Sequence, residues 1–210
     1  MGEPITIVAL GSSSTWGSGA SSREHTYPAQ LERELRSAWP VKLAVINAGV
    51  GGQLARDMTA RIDTDVASHR PQLVLWQTGV NDAMKGVPLD AFRAELSAGI
   101  EKLRATGADV VLIDQQFYPR FEKLQNGPQY LAAVREAGEK FRVPVVQRFR
   151  IMQHLLASAQ FTTETMLSAD QFHLNDQSYD CIGHLLARSL EAAATTQPAQ
   201  IAGEANKGKL

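Results

Sequence analysis

A chain of 210 residues, 44% apolar and 20% charged, can close one sizeable hydrophobic core but not two, so a single domain over residues 1–194 is expected. A formal net charge of −1 gives no electrostatic reason to bind nucleic acid or an anionic membrane, and no apolar run approaches the roughly 20 residues that span a bilayer. Cys181 is the lone cysteine, which excludes an internal disulfide.

The first residues run straight into an apolar stretch, 5–10, which reads as a buried strand closed by Gly11. No basic segment followed by an apolar one precedes it, so a cytoplasmic location is expected for the chain as written. A periplasmic or secreted one follows if a signal peptide has been removed. Met1-Gly2 with Thr6 formally fits a myristoylation pattern, but Thr6 falls inside the strand. Residues 27–39 read as a helix with Leu31 and Leu35 on one face, stopped by Pro40. A strand is expected at 41–47, a helix at 53–68, a strand at 73–76, a helix at 89–106 ended by Gly107, and a strand at 110–113. A helix at 130–141, a strand at 143–146 and helices at 151–159 and 177–194 complete the pattern. Residues 115–129 and 161–175 lack periodicity and are long enough to carry function. The tail, 195–210, is poor in apolar residues and is expected to be disordered.

Strands apolar on both faces and separated by helices argue for an α/β fold: a three-layer α/β/α sandwich with a five-stranded, mostly parallel sheet. The ligand crevice of such a sheet lies at the carboxyl ends of its strands. The first strand ends in Gly11-Ser12-Ser13-Ser14. The second runs into Asn47-Ala48-Gly49-Val50-Gly51-Gly52, and the third into Gly79-Val80-Asn81-Asp82. Three polar or glycine-rich turns therefore meet on one rim. Asp170-Gln171-Phe172-His173 adds an acid and an imidazole three residues apart.

These blocks, in this order, resemble those of the SGNH hydrolases, also called the GDSL esterase and lipase family. The resemblance covers most of the chain and implies a flavodoxin-like SGNH fold and ester hydrolysis without a metal or organic cofactor. It makes Ser13 the nucleophile, His173 the base and Asp170 its acid. It assigns the oxyanion donors to the Ser13 amide, the Gly52 amide (with Gly51 the adjacent alternative) and the Asn81 side chain. One position departs from the family pattern: Ser12 stands where the aspartate of Gly-Asp-Ser is usual, so the hydrogen bonding of that carboxylate must be absent or replaced.

The residue types suit that chemistry. A serine hydroxyl needs a neighbouring base to take its proton, a carboxylate can fix the imidazole tautomer, and a tetrahedral oxyanion needs fixed donors. Taken singly, Ser13 would be a helix-capping hydroxyl, His173 a surface histidine and Asn81 a turn residue. The ordered set favours acyl transfer. A flavodoxin-like phosphate- or nucleotide-binding module is the alternative, because the serine- and glycine-rich turn 11–19 could wrap a phosphate. A catalytically dead, glycan- or protein-binding descendant is a third reading.

Trp16, Met84, Phe117, Tyr118 and Phe121 are the residues expected to border the crevice. The partner would be a small-molecule ester, whether an acyl ester, lysophospholipid, thioester or acetylated sugar. Asp180 and His184 sit four apart with no further ligand cluster, and read as an exposed helical pair rather than a metal site.

Overall fold

The computed structural model describes residues 4–124 and 126–196. Five strands form its sheet: β1 (Ile5–Gly11), β2 (Leu43–Gly49), β3 (Leu73–Gln77), β4 (Asp109–Ile113) and β5 (Val145–Val146). Their order is β2-β1-β3-β4-β5, and every neighbouring pair is parallel. This is the expected α/β architecture. The chain steps from β1 to β2 on one side, then crosses to β3 on the other, so a crevice opens where β1 and β3 end.

The helices are α1 (Ser13–Trp16), α2 (Tyr27–Ala38), α3 (Ala55–Ala60), α4 (Ile62–Asp65), α5 (Val80–Met84), α6 (Leu89–Arg104), α7 (Gly127–Phe141), α8 (Arg148–Ala157), α9 (Thr163–Met166) and α10 (Asp176–Thr196). Strand alternation divides the core in two. Ile7, Ala9 and Leu75 face Leu31, Leu35, Phe149 and Tyr179 of α2, α8 and α10. Val8, Leu10, Val74 and Trp76 face Met58, Ile62, Phe92, Leu96 and Ile100 of α3, α4 and α6. Each such aliphatic side chain, once fully buried, contributes about 1.5–3 kcal/mol. Trp76 is held on that side by its Nε1–H, which donates to Met58 Sδ at 3.3 Å. Gly99 of α6 leaves room for it, because a Cβ there would stand 2.3 Å from the indole.

Several boundaries differ from the periodic pattern for identifiable reasons. The expected helix 53–68 breaks at Arg61, whose backbone leaves helical geometry. Its guanidinium instead reaches the strand ends, donating to the carbonyls of Gly11 at 3.1 Å and Ala48 at 2.8 Å. Strand β2 runs two residues later than expected, because Ala48 and Gly49 still pair with Leu10 and Gly11. Edge strand β5 starts at Val145 rather than Val143: the Val143 N–H closes α7 on the Gly138 carbonyl, after Arg142 adopts φ +52°. Helices α1 and α5, four and five residues long, are too short to have a periodic signature. Helix α10 continues through Thr196, two residues into the stretch expected as a disordered tail; positions 197–210 lie outside the described residues. Among the described residues no helix is long and apolar enough to cross a membrane.

Candidate active site

Strand β1 delivers Ser13 directly onto the rim. Gly11 allows the chain to turn into α1, since a Cβ at that position would lie 2.0 Å from Thr15 Oγ1. Gly49 serves the same junction from β2, where a Cβ would come within 2.1 Å of the Trp16 nitrogen. Gly17 closes α1 at φ +103°, a conformation that favours glycine.

The loop after α9 is folded by its own backbone. Leu167 and Leu174 form an antiparallel bridge, and the Ser168 N–H donates to the His173 carbonyl at 2.8 Å. Gln171, at φ +55°, makes the tight turn between them. Asp170 Oδ1 accepts from the N–H groups of Phe172 and His173, each at 2.9 Å, and from Ser168 Oγ at 2.8 Å. Asp170 Oδ2 lies 2.5 Å from His173 Nδ1, and His173 Nε2 lies 2.9 Å from Ser13 Oγ. Partial burial pushes the Asp170 carboxyl upward, but the hydrogen bonds from His173, Ser168 and Phe172 outweigh it and hold the group well below the usual carboxylate range. The carboxylate is thus ionised and aimed at the imidazole. Ser13 and His173, 160 positions apart, meet in one line with Asp170.

The loop after β2 and the start of α3 are fastened to α5 and to Lys85, which follows it, by three contacts. Asn81 Nδ2 donates to the Gln53 carbonyl at 2.8 Å, which engages one of its two amide protons. Lys85 Nζ donates to the Gly52 carbonyl at 2.8 Å. The Ala55 N–H is shared by both Asp82 oxygens at 3.2 Å. Burial pushes the Asp82 carboxyl up to about 6, against the pull of the Ala55 N–H. Gly52 takes φ +75°, and among the described residues nothing accepts from the backbone N–H of Gly52 or of Ser13. Gly51, beside it, has φ outside the left-handed region.

Two groups of functional side chains have little sequence signature. The first is Gln77 at the end of β3. Its Oε1 accepts from the Ser12 N–H and Ser12 Oγ, both at 3.1 Å, and from Thr15 Oγ1 at 3.3 Å. Ser12, where the Gly-Asp-Ser pattern would put an aspartate, is therefore anchored by a neutral amide from a neighbouring strand. A polar residue ending the run Leu73-Val74-Leu75-Trp76 was the available hint. The second is Arg148, fully buried at the start of α8, whose Nη2 donates to Gln116 Oε1 at 3.0 Å. Gln116 Nε2 donates to the Phe172 carbonyl at 3.3 Å, and Ser14 Oγ donates to Gln116 Oε1 at 3.4 Å. One chain of hydrogen bonds thus spans the turn that carries Ser13 and the loop that carries His173. Nothing local predicts it, because arginine is normally a surface residue.

The five residues expected along the crevice separate into two sets. Trp16 and Met84 are exposed on the rim, at 47% and 51%, with the Arg23 guanidinium 4.4 Å from the Trp16 ring centroid. Met84 and Tyr118 line a cleft of about 400 Å3 that Asp170 and Phe172 also border. Phe117 and Phe121 instead turn inward against Phe149, with ring centroids 5.6 and 4.5 Å away. They belong to the core because 115–124 packs over α8 rather than opening outward. A separate apolar cavity between α8 and α10, bordered by Met152, Leu155 and Leu185, involves none of Ser13, Asp170 or His173. Cys181 borders it, and burial pushes its thiol up, which suits a packing residue. Asp180 and His184 lie on the α2 side, against Arg33 at 3.1 Å and Glu34 at 3.4 Å respectively.

The chain matches the model of the Non-GDSL lipase-like family over residues 1–196. It is similar to the uncharacterized lipoprotein YqeF of Bacillus subtilis, with 34% identity over 113 residues, covering 51% of this chain and 46% of that protein. It is also similar to thioesterase 1/protease 1/lysophospholipase L1 of Escherichia coli, with 23% identity over 186 residues, covering 89% and 83% respectively. The alignment with the first of these spans less than half of that relative's length. The fold is similar to that of the lipase/acylhydrolase from Enterococcus faecalis, with a TM-score of 0.75 at 22% identity, covering 90% of this chain and 96% of that one. With its family model matched from end to end of the described fold, and Gly11-Ser12-Ser13 where Gly-Asp-Ser would stand, the chain belongs to the Non-GDSL lipase-like family.

Proposed function

We propose that the protein is a serine esterase that hydrolyses carboxylic esters through an acyl-enzyme on Ser13. The observation that carries this reading is the relay Ser13 Oγ–His173 Nε2–Asp170, closed at 2.9 and 2.5 Å. His173 takes the Ser13 proton as Oγ attacks the ester carbonyl. The imidazolium is stabilised by the ionised Asp170 at Nδ1. The oxyanion that forms is met by the Ser13 and Gly52 N–H groups and by the second amide proton of Asn81 Nδ2. Loss of one such donor typically costs about 10²- to 10³-fold in turnover. Collapse of the intermediate expels the alcohol, protonated by His173, and leaves the acyl group on Ser13. Water, deprotonated by the same imidazole, then attacks the acyl group. The second collapse releases the acid and returns the proton to Ser13.

A phosphate-binding module would have no use for an acid–imidazole pair aligned on a serine hydroxyl, and a decayed site would not retain a closed relay. The range of substrates named for its relatives, thioesters and lysophospholipids among them, supports an ester-type substrate without selecting one. A fluorophosphonate probe tests the reading. Wild-type protein is expected to label covalently on Ser13, and Ser13→Ala not to label while keeping its thermal midpoint. Absence of labelling in folded wild-type protein would overturn it.

A further inference from the structure

We infer that the cleft beside the base loop binds an anionic group on the leaving alcohol, so that the preferred substrates are esters of phosphorylated or carboxylated alcohols. This rests on the esterase reading above and adds a substrate class to it. The argument begins with where the alcohol must leave. His173 Nε2 donates its proton to the departing oxygen, so the alcohol exits beside the imidazole. The cleft that Asp170 and Phe172 border, both close to His173 in the chain, is therefore the place for it. Met84, Tyr118 and Leu124 supply its apolar wall.

Two of its described lining residues are cationic. Arg120 and Lys123 stand on the same bank, at the two ends of one tight turn in which the Lys123 N–H bonds the Arg120 carbonyl at 3.1 Å. Side chains three apart in such a turn eclipse one another and point the same way. Among the described residues, neither side chain has a carboxylate within ion-pair distance, whereas Arg33, Arg61, Arg93 and Lys102 each have one. Lys85 follows Met84 in the chain. Its ammonium donates to the Gly52 carbonyl, and no described carboxylate lies within ion-pair distance of it. Among the described side chains, the one acidic residue lining the cleft is Asp170, whose charge is already engaged by His173, Ser168 and two backbone N–H groups. Cations left without carboxylate partners beside a reaction centre focus an anion toward it. The paired guanidinium and ammonium suit an oxyanion that can accept from both. A phosphate and a carboxylate share that chemistry.

The test uses the butyryl esters of glycerol, glycerol 3-phosphate and glycerate, which share an acyl group and differ in the charge on the alcohol. The readout is the ratio of kcat/KM between charged and neutral esters. A ratio of about tenfold or more, carried by KM, is expected from two charge-assisted contacts. It should fall to within about threefold in Arg120→Gln/Lys123→Gln, or in wild-type enzyme at about 0.5 M salt. In Arg120→Glu/Lys123→Glu it should invert. Preference for both charged esters supports the shared recognition, and preference for one alone identifies phosphate or carboxylate as the group bound. Equal hydrolysis of all three by wild-type enzyme overturns the proposal and leaves the esterase reading intact, as does a preference that survives both double substitutions. Failure to hydrolyse any of them, together with no fluorophosphonate labelling, overturns both.

Discussion

Ser13 and His173 are joined by one hydrogen bond, so their removal should not be additive. Ser13→Ala and His173→Ala are each expected to abolish measurable ester turnover. The double variant should lose little more, because members of such a relay act as a unit. Steady-state kinetics on the three proteins checks this, and near-normal turnover in His173→Ala would place the base elsewhere. The hydrogen bonds that hold Asp170 well below the usual carboxylate range keep it ionised through mildly acidic pH. Asp170→Asn removes the charge that would stabilise an imidazolium formed as Ser13 is deprotonated, so turnover should fall by about 10²- to 10⁴-fold in steady-state kinetics. Near-normal turnover would show that the carboxylate's charge is dispensable. Gln77 supports the turn that carries Ser13, because Ser12 and Thr15, on either side of Ser13, share its one carbonyl oxygen. In Gln77→Leu the Ser12 N–H is left buried and unpaired, at a cost of about 1–3 kcal/mol in unfolding free energy. Gln77→Glu keeps the acceptor and should recover part of that loss in urea denaturation.

The loop after β2 and helix α5 act as one support for the candidate oxyanion donors, joined through Asn81, Lys85 and Asp82. Asp82 makes that support sensitive to pH. Its carboxyl titrates at about 6 in the fold against an ordinary 3.8 for an aspartate in water, so the folded state holds the proton more tightly than the unfolded chain. The contribution is fully present below about pH 4 and is lost as pH rises through 6, a change of ~3 kcal/mol for a shift of this size. Asp82→Asn cannot ionise. Its stability relative to wild type should therefore improve by that order between about pH 4 and pH 7.5, read by urea denaturation at the two values. A relative loss instead would mean that the bonds from the Ala55 N–H outweigh burial. The same pair of segments also shows where periodicity stops being informative. Apolar spacing over 53–68 is helical throughout, yet Arg61 leaves the helix to bond strand-end carbonyls that no local pattern contains.

Across the fold, the alternation of apolar runs with amphipathic segments was sufficient to read five parallel strands and their covering helices, since each pattern reports which faces are buried. The residue types of the candidate relay were equally legible, because acyl transfer restricts nucleophile, base and acid to a few side chains. Asp170 and His173, three apart, could be read as a pair for the same reason. Tertiary structure alone decided the rest. It placed His173 Nε2 on a hydroxyl 160 positions away, and it supplied the Gln77 amide that anchors Ser12 where the Gly-Asp-Ser pattern would put an aspartate. It also buried Arg148 to hold Gln116, and turned Phe117 and Phe121 into the core while leaving Met84 on the cleft. The physical reason is the same in each case. Periodicity and propensity are properties of neighbours in the chain, whereas a buried polar group takes whichever partner the packed fold brings within hydrogen-bond reach.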